Sequence, residues 1–143
     1  MEENKLRELF EQGLQDLDDG SGKLFLYSLL DLDIQYDEDN EKVHISAPIT
    51  NIMFNQMGII HGGIITYIAD TAMGHLVAAF AENPAVSLEL KTQFFRTTNE
   101  GSFHAHASFL KKGRNVHFVE CDLKDDRDRL LGKVTATFYS VNE

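Results

Sequence analysis

Leu6, Leu9, Phe10, Leu14 and Leu17 recur at helical spacing and predict an amphipathic helix over residues 4–17. Asp18-Asp19-Gly20-Ser21-Gly22 ends it with turn-forming residues. Residues 25–30 are apolar without a clear period and read as an irregular or helical connector. The period then shortens to two. Residues 30–36 alternate in part, Asp37-Glu38-Asp39-Asn40 is a turn, and Val43, Ile45, Ala47 and Ile49 alternate with His44 and Ser46 as in a half-buried strand. These two strands are expected to pair as a hairpin. Pro48 marks the second as finishing or lying at an edge. Residues 49–60 read as a loop and 62–82 as the main helix, stopped by Asn83-Pro84. Four more strands follow, over 86–94, 102–109, 116–123 and 132–139, with turns at Gly113-Arg114-Asn115 and 125–128. In the first of them Val86, Leu88, Leu90 and Phe94 are expected on one face, with Ser87, Glu89, Lys91 and Gln93 on the other.

The order is helix, two strands, one long helix, four strands. A helix apolar nearly all round must be covered on most sides, and a curved antiparallel sheet wrapped around it would do so. The fold class is therefore α+β, with the N-terminal helix as residues 1–22 and the main domain as 23–143. The apolar stretch 64–80 is interrupted by Thr66, Asp70, Thr71 and His75, so it does not read as a membrane span.

The 143 residues suffice for one domain with a real core. The formal net charge of −10 argues against nucleic-acid binding, which needs a basic footprint. It also opposes any polyanionic ligand unless basic residues offset it locally. Lys111, Lys112 and Arg114 form one such cluster and Arg96 is another candidate, although a short basic cluster also reads as a solvated turn. Cys121 is the single cysteine, and the first residues lack a signal-peptide pattern, so a reducing cytoplasm is the expected location.

The densest chemistry lies in 55–70: Asn55, then His61-Gly62-Gly63 opening the long helix, then Asp70 two turns in. Asp70 is flanked by Ile68, Ala69, Ala72 and Met73, where an unpaired carboxylate is costly; it should be paired, protonated or used. The alternative is an exposed polar seam with Thr66, four residues away on one face. Gly62 falls in the first helical turn, with its free amides and positive dipole end, and glycine allows a carbonyl to approach the backbone closely; it could equally serve only helix entry.

Asn55 six residues before His61, the His-Gly-Gly entry and Asp70 nine residues after His61 together resemble the signature of hotdog-fold acyl-CoA thioesterases, in the phenylacetate-pathway (PaaI-like) branch. The resemblance spans about residues 30–139. It implies the hotdog fold and hydrolysis of an acyl-CoA to a carboxylic acid and CoA. Asp70 would be general base or nucleophile, and Gly62 the amide donor to the oxyanion. Asn55 and His61 would position the carbonyl or the water, and Ser87 would help hold the water. Gly63, Arg96, Lys112, Gly113 and Arg114 would contact substrate or CoA. No metal and no cofactor apart from the substrate's own CoA is implied. Met53, Phe54, Met57, Tyr67 and Phe80 are candidates for an apolar acyl pocket. His44, His75, His104, His106 and His117 lack a convincing ligand set, and Glu120 and Asp122 disfavour Cys121 as a nucleophile.

Gly62 and Asp70 are eight residues apart on one helix, roughly 12 Å along its axis. One chain cannot bring both to a single carbonyl, whereas a second helix running antiparallel across a two-fold axis can. An obligate homodimer with two composite sites is expected, assembling further as a dimer of dimers, a homotetramer. The competing readings are a non-catalytic acyl-CoA-binding or regulatory protein on the same fold, a hydratase, and a purely structural dimer.

Overall fold

The computed structural model describes residues 2–20 and 22–141; Ser21 of the expected turn lies outside them. Helix α1 (Glu3–Asp18) and the short α2 (Phe25–Leu29) precede the hairpin β1 (Asp33–Asp37) and β2 (Lys42–Pro48). A single 3-10 turn (Asn51–Met53) interrupts the loop before α3 (Gly62–Phe80). Then come β3 (Ala85–Phe94), β4 (Ser102–Lys112), β5 (Val116–Lys124) and β6 (Leu130–Ser140). The strands form one antiparallel sheet in the order β1-β2-β4-β5-β6-β3. One long helix lies against its inner face, which is the hotdog arrangement.

Period-two alternation builds that inner face. Val43, Ile45 and Ala47 of β2, Phe103, Ala105 and Ala107 of β4, Val119, Cys121 and Leu123 of β5, and Val134, Ala136 and Phe138 of β6 are all buried. Against them α3 lays Ile68, Ala69, Ala72, Met73, Leu76 and Val77. The alanines of β2 and β4 leave room for the helix to sit close.

Three expectations need correction. Pro48 does finish β2, but β2 is no edge strand: it lies between β1 and β4, with Pro48 opposite Ser102. The helix is not covered on most sides. It has enough length and apolar character to cross a membrane, yet here one sheet covers one side of it. Tyr67, Asp70, Thr71 and Gly74 remain half-buried, and Gly63, Ala78 and Ala79 exposed.

The third correction concerns β3. The register against β6 slips between Ser87 and Glu89, so Leu88 is the extra residue of a bulge and the alternation inverts there. Ser87 pairs with buried Phe138, Leu90 with Ala136 and Thr92 with Val134, which puts all three on the helix-facing side, while Val86 turns away. One histidine, His117, points into the core. It is 1 % exposed and in step with Val119 and Cys121. Its Nε2 lies 2.7 Å from Ser140 Oγ, and its Nδ1 has no partner among the described residues.

The N-terminal segment is clipped on by three contacts. The Ser28 hydroxyl donates to buried Asp16. Phe25 meets Phe10 edge-to-face at 5.3 Å and packs so closely over Gly13 that a Cβ there would collide with its ring.

Burial pushes the imidazoles of His44, His75, His106 and His117 below the ordinary histidine range. The unfolded chain, with histidine pKa near about 6.5, then binds more protons than the folded one just below that pH. Stability from these groups is complete above about pH 6.5 and is lost as pH falls through the window down to their folded values. The urea midpoint is expected to drop between about pH 7.5 and about pH 5.5, and to drop less in His117→Leu. A midpoint that stays flat or rises on acidification contradicts this.

Candidate active site

His61 caps α3 from an extended backbone (φ −64°, ψ 129°). Its Nδ1 accepts from the Gly63 N–H at 3.0 Å, and its carbonyl accepts from Ile64 and Ile65 at 3.0 and 3.3 Å. Its own N–H donates to the Met53 carbonyl at 2.7 Å, which ties the helix start to the preceding 3-10 turn. Three of the four orphan amides of the first turn are thereby engaged. The fourth, on Gly62, has no acceptor among the described residues and lies at the positive end of the helix dipole. Phe94 stands over it: a Cβ on Gly62 would come to 3.1 Å from the ring.

Gly62 lines a cleft of about 260 Å³ together with Asn55, Ile65, Phe94, Arg96 and Phe103. Asn55 shapes the approach to it. Its Oδ1 accepts from the Met57 N–H at 2.8 Å and its backbone N–H donates to the Ile59 carbonyl at 2.8 Å, a tight turn that needs the positive φ (+78°) of Gly58. No hydrogen bond among the described residues uses the Asn55 Nδ2, so it is free to donate into the cleft.

Asp70 is not in this cleft. Two turns along α3, on the open side of the helix, its carboxyl interacts with the Ser87 side chain. Burial raises its carboxyl above the usual carboxylate range, and Ser87 pulls the other way. The bulge at Leu88 turns Ser87 toward the helix and permits this contact; regular alternation would have aimed it to the far face.

The basic residues separate. Arg96 lines the cleft at the start of α3. Lys112 is at the other end, its Nζ 2.7 Å from Glu41 Oε1 and 3.2 Å from the carbonyl of Phe80 in the last turn of α3. Gly113 and exposed Arg114 follow it, and a side chain at Gly113 would run into the Val116 carbonyl. The helix between the two sets is roughly 27 Å long, so one chain does not assemble Arg96, Lys112, Gly113 and Arg114 into a single set of contacts. Of the expected acyl-pocket residues, Met53 is 1 % exposed in the core, Met57 is 81 % exposed, and Phe80 lies at the far end of α3. Cys121 is fully buried, and burial, reinforced by Asp122, drives its thiol far up. The walls Ile65, Phe94 and Phe103 were missed as site residues, although strand alternation alone put Phe94 and Phe103 on defined faces.

Residues 57–131, over half of the chain, match the profile of the thioesterase superfamily. The chain belongs to that superfamily. A Saccharolobus solfataricus relative, whose esterase name is itself an inference, is 30 % identical over 117 residues, covering 80 % of this chain and 81 % of its own. Among solved structures, a Bacillus halodurans protein crystallised with CoA superposes with a TM-score of 0.86 at 24 % identity over 98 % of this chain and 93 % of its own. A Ralstonia eutropha protein related to phenylacetic acid degradation gives 0.76 at 24 % identity over 88 % and 97 %. The superfamily match covers both Gly62 and Asp70, and the likeness to the solved structures shows the hotdog fold.

Ser87→Ala removes the hydroxyl whose interaction favours ionised Asp70. The Asp70 carboxyl should titrate at higher pH in that variant, as followed by carboxyl-carbon NMR. An unchanged or lower midpoint would show that the hydroxyl does not hold the carboxylate.

Proposed function

We propose that this thioesterase hydrolyses an acyl-CoA at two composite sites of a homodimer, each joining Gly62 of one copy to Asp70 of the other. The observation that carries this reading is the distance within one chain. The free amide and the carboxylate are roughly 12 Å apart on one rigid helix, and the reacting atoms must meet at about 3 Å.

Two surfaces support the pairing. Strand β3 is a ten-residue edge whose outer backbone groups are unpaired, and Val86, Leu88, Phe94 and Phe95 on and beside it are all more than half exposed. The open side of α3 adjoins it and carries Asp70. A second copy laid antiparallel along β3 would cover both. It would also bring its Lys112–Gly113–Arg114 turn beyond the first copy's helix N-terminus, where Arg96 stands. Basic groups from both copies could then receive the phosphates of CoA, which their overall charge of −10 each otherwise opposes. The CoA bound to the Bacillus halodurans neighbour supports that choice of thiol. A dimer of dimers in a reducing cytoplasm remains part of this reading.

The chemistry then follows. The Gly62 N–H donates to the thioester oxygen as it gains negative charge, assisted by the dipole of α3. Asp70 of the second copy takes a proton from the attacking water, or attacks the carbonyl carbon itself. Its carboxyl, raised above the usual carboxylate range by burial, is a stronger base than an exposed carboxylate. The C–S bond breaks and CoA leaves as a thiolate that is then protonated; on the nucleophilic route water then cleaves the acyl–Asp70 anhydride, and by either route the carboxylic acid is released. Asn55 Nδ2 and His61 orient the carbonyl at the cleft mouth.

Asp70→Ala is expected to cut CoA release from acyl-CoA substrates by orders of magnitude while the dimer persists. Bound acyl-CoA without turnover in the wild type would point instead to a binding protein. Gly62→Pro removes the amide at a position where helices tolerate proline. When separately inactive Gly62→Pro and Asp70→Asn chains are unfolded and refolded together, activity should reappear, because each mixed dimer holds one intact site. A mixture as inactive as its parts would rule out composite sites.

A further inference from the structure

Gly74 is a glycine that its own chain does not explain. Of the ten glycines, Gly20, Gly22, Gly58 and Gly101 have positive φ, and at Gly13, Gly62, Gly63, Gly113 and Gly132 a Cβ would come to 3.2 Å or less from another group. Gly74 has neither reason. It lies inside the 19-residue α3, where glycine is the poorest helix former after proline, and a Cβ there would meet nothing within 4 Å beyond its own turn among the described residues. The position is four residues past Asp70, so the two share one line of the open helix face. A helical side chain leans back over the turn before it. Any side chain at 74 would therefore lean over the Asp70 carboxyl, and glycine keeps the space beside that carboxyl clear.

Three occupants compete for that space. The partner's helix is not one of them. With Gly62 of one copy against Asp70 of the other, that helix begins opposite Asp70, and Gly74 lies roughly 6 Å past its first residue. The acyl group has the apolar cleft beside Gly62, between Ile65, Phe94 and Phe103. The arm of CoA remains. From Asp70 the helix runs on for roughly 15 Å to Phe80, whose carbonyl is 3.2 Å from Lys112 Nζ, at the turn proposed to contact the phosphates. A chain that joins a thioester at Asp70 to phosphates at that turn passes Gly74 on the way.

We propose that Gly74 is a specificity-determining residue for the thiol half of the substrate: its bare backbone is the surface on which the pantetheine arm of CoA lies between the thioester and the phosphates. The arm is unbranched next to its sulfur, and it lies flat on a helix only where no Cβ projects. The proposal rests on the reading of Asp70 as the hydrolytic carboxylate of a composite acyl-CoA site.

Free CoA and the free acid product separate the two halves of the substrate. Gly74→Leu, shown by gel filtration to remain a dimer, should bind free CoA about tenfold more weakly than the wild type by calorimetry, the cost of forcing extra carbons into filled space. Its KM for acyl-CoA should rise in parallel, and its inhibition by the free acid should be unchanged. Gly74→Ala should raise the urea midpoint, because alanine is the better helix former and nothing in the chain meets its Cβ. It should also weaken CoA binding, less than leucine does, and it carries the comparison if leucine prevents assembly. Equal CoA affinity in the wild type and the variants, weakened acid binding with CoA binding retained, or a lower midpoint in Gly74→Ala would overturn the proposal. Where the wild type hydrolyses acyl-CoA and Gly74→Leu binds CoA unchanged, this inference fails alone. Where the wild type neither binds CoA nor releases it from any thioester, the acyl-CoA reading fails and takes this inference with it.

Discussion

An α-helix fixes distance along its axis, and the candidate site depends on that rigidity. The Gly62 amide is free because nothing precedes it in the helix, and Asp70 is accessible because the sheet covers only the other side of α3. Neither can move toward the other without unwinding two turns whose apolar residues, Ile68 and Ala69 among them, are locked against the sheet. The Gly62 amide and the Asp70 carboxyl are thus held outward of the sheet at a fixed interval. The one-sided sheet, the edge at β3 and the exposed apolar residues beside it belong to the same arrangement. On the proposed dimer reading, this is the surface that a second helix would cover.

What was legible in the sequence was local. The helix at 62–80 shows itself by its apolar run and by a histidine whose side chain can cap it, and the β1–β2 hairpin by alternation around an Asp-Glu-Asp-Asn turn. That Gly62 and Asp70 stand eight residues apart on one helix was legible because helix geometry needs no tertiary knowledge, whereas their proposed roles came from the family resemblance. Illegible features were set by pairing. The facing of Ser87 depends on a bulge, and a bulge is a property of the β3–β6 register rather than of the β3 sequence. Lys112 and Arg96 were read as separate basic candidates, and topology places them at opposite ends of α3, a separation that sequence position does not give. His117 sits in an alternating strand in step with buried Val119 and Cys121, and the Ser140 hydroxyl that accommodates it lies 23 residues away.

The N-terminal segment, which the recognisable motif leaves outside, is where long-range contacts matter most. Tyr27 and Tyr36 reach His75 from 48 and 39 residues away, too far for any periodicity to reveal. Those two phenols are also the points at which α2 and β1 grip the open side of α3. The grip is anchored in turn: Ser28, next to Tyr27, donates to buried Asp16 of α1, and Phe25 closes over Gly13. Each of these links joins residues that helix and strand periods treat as independent, so the way the first helices pack on α3 is a tertiary property that no local pattern carries.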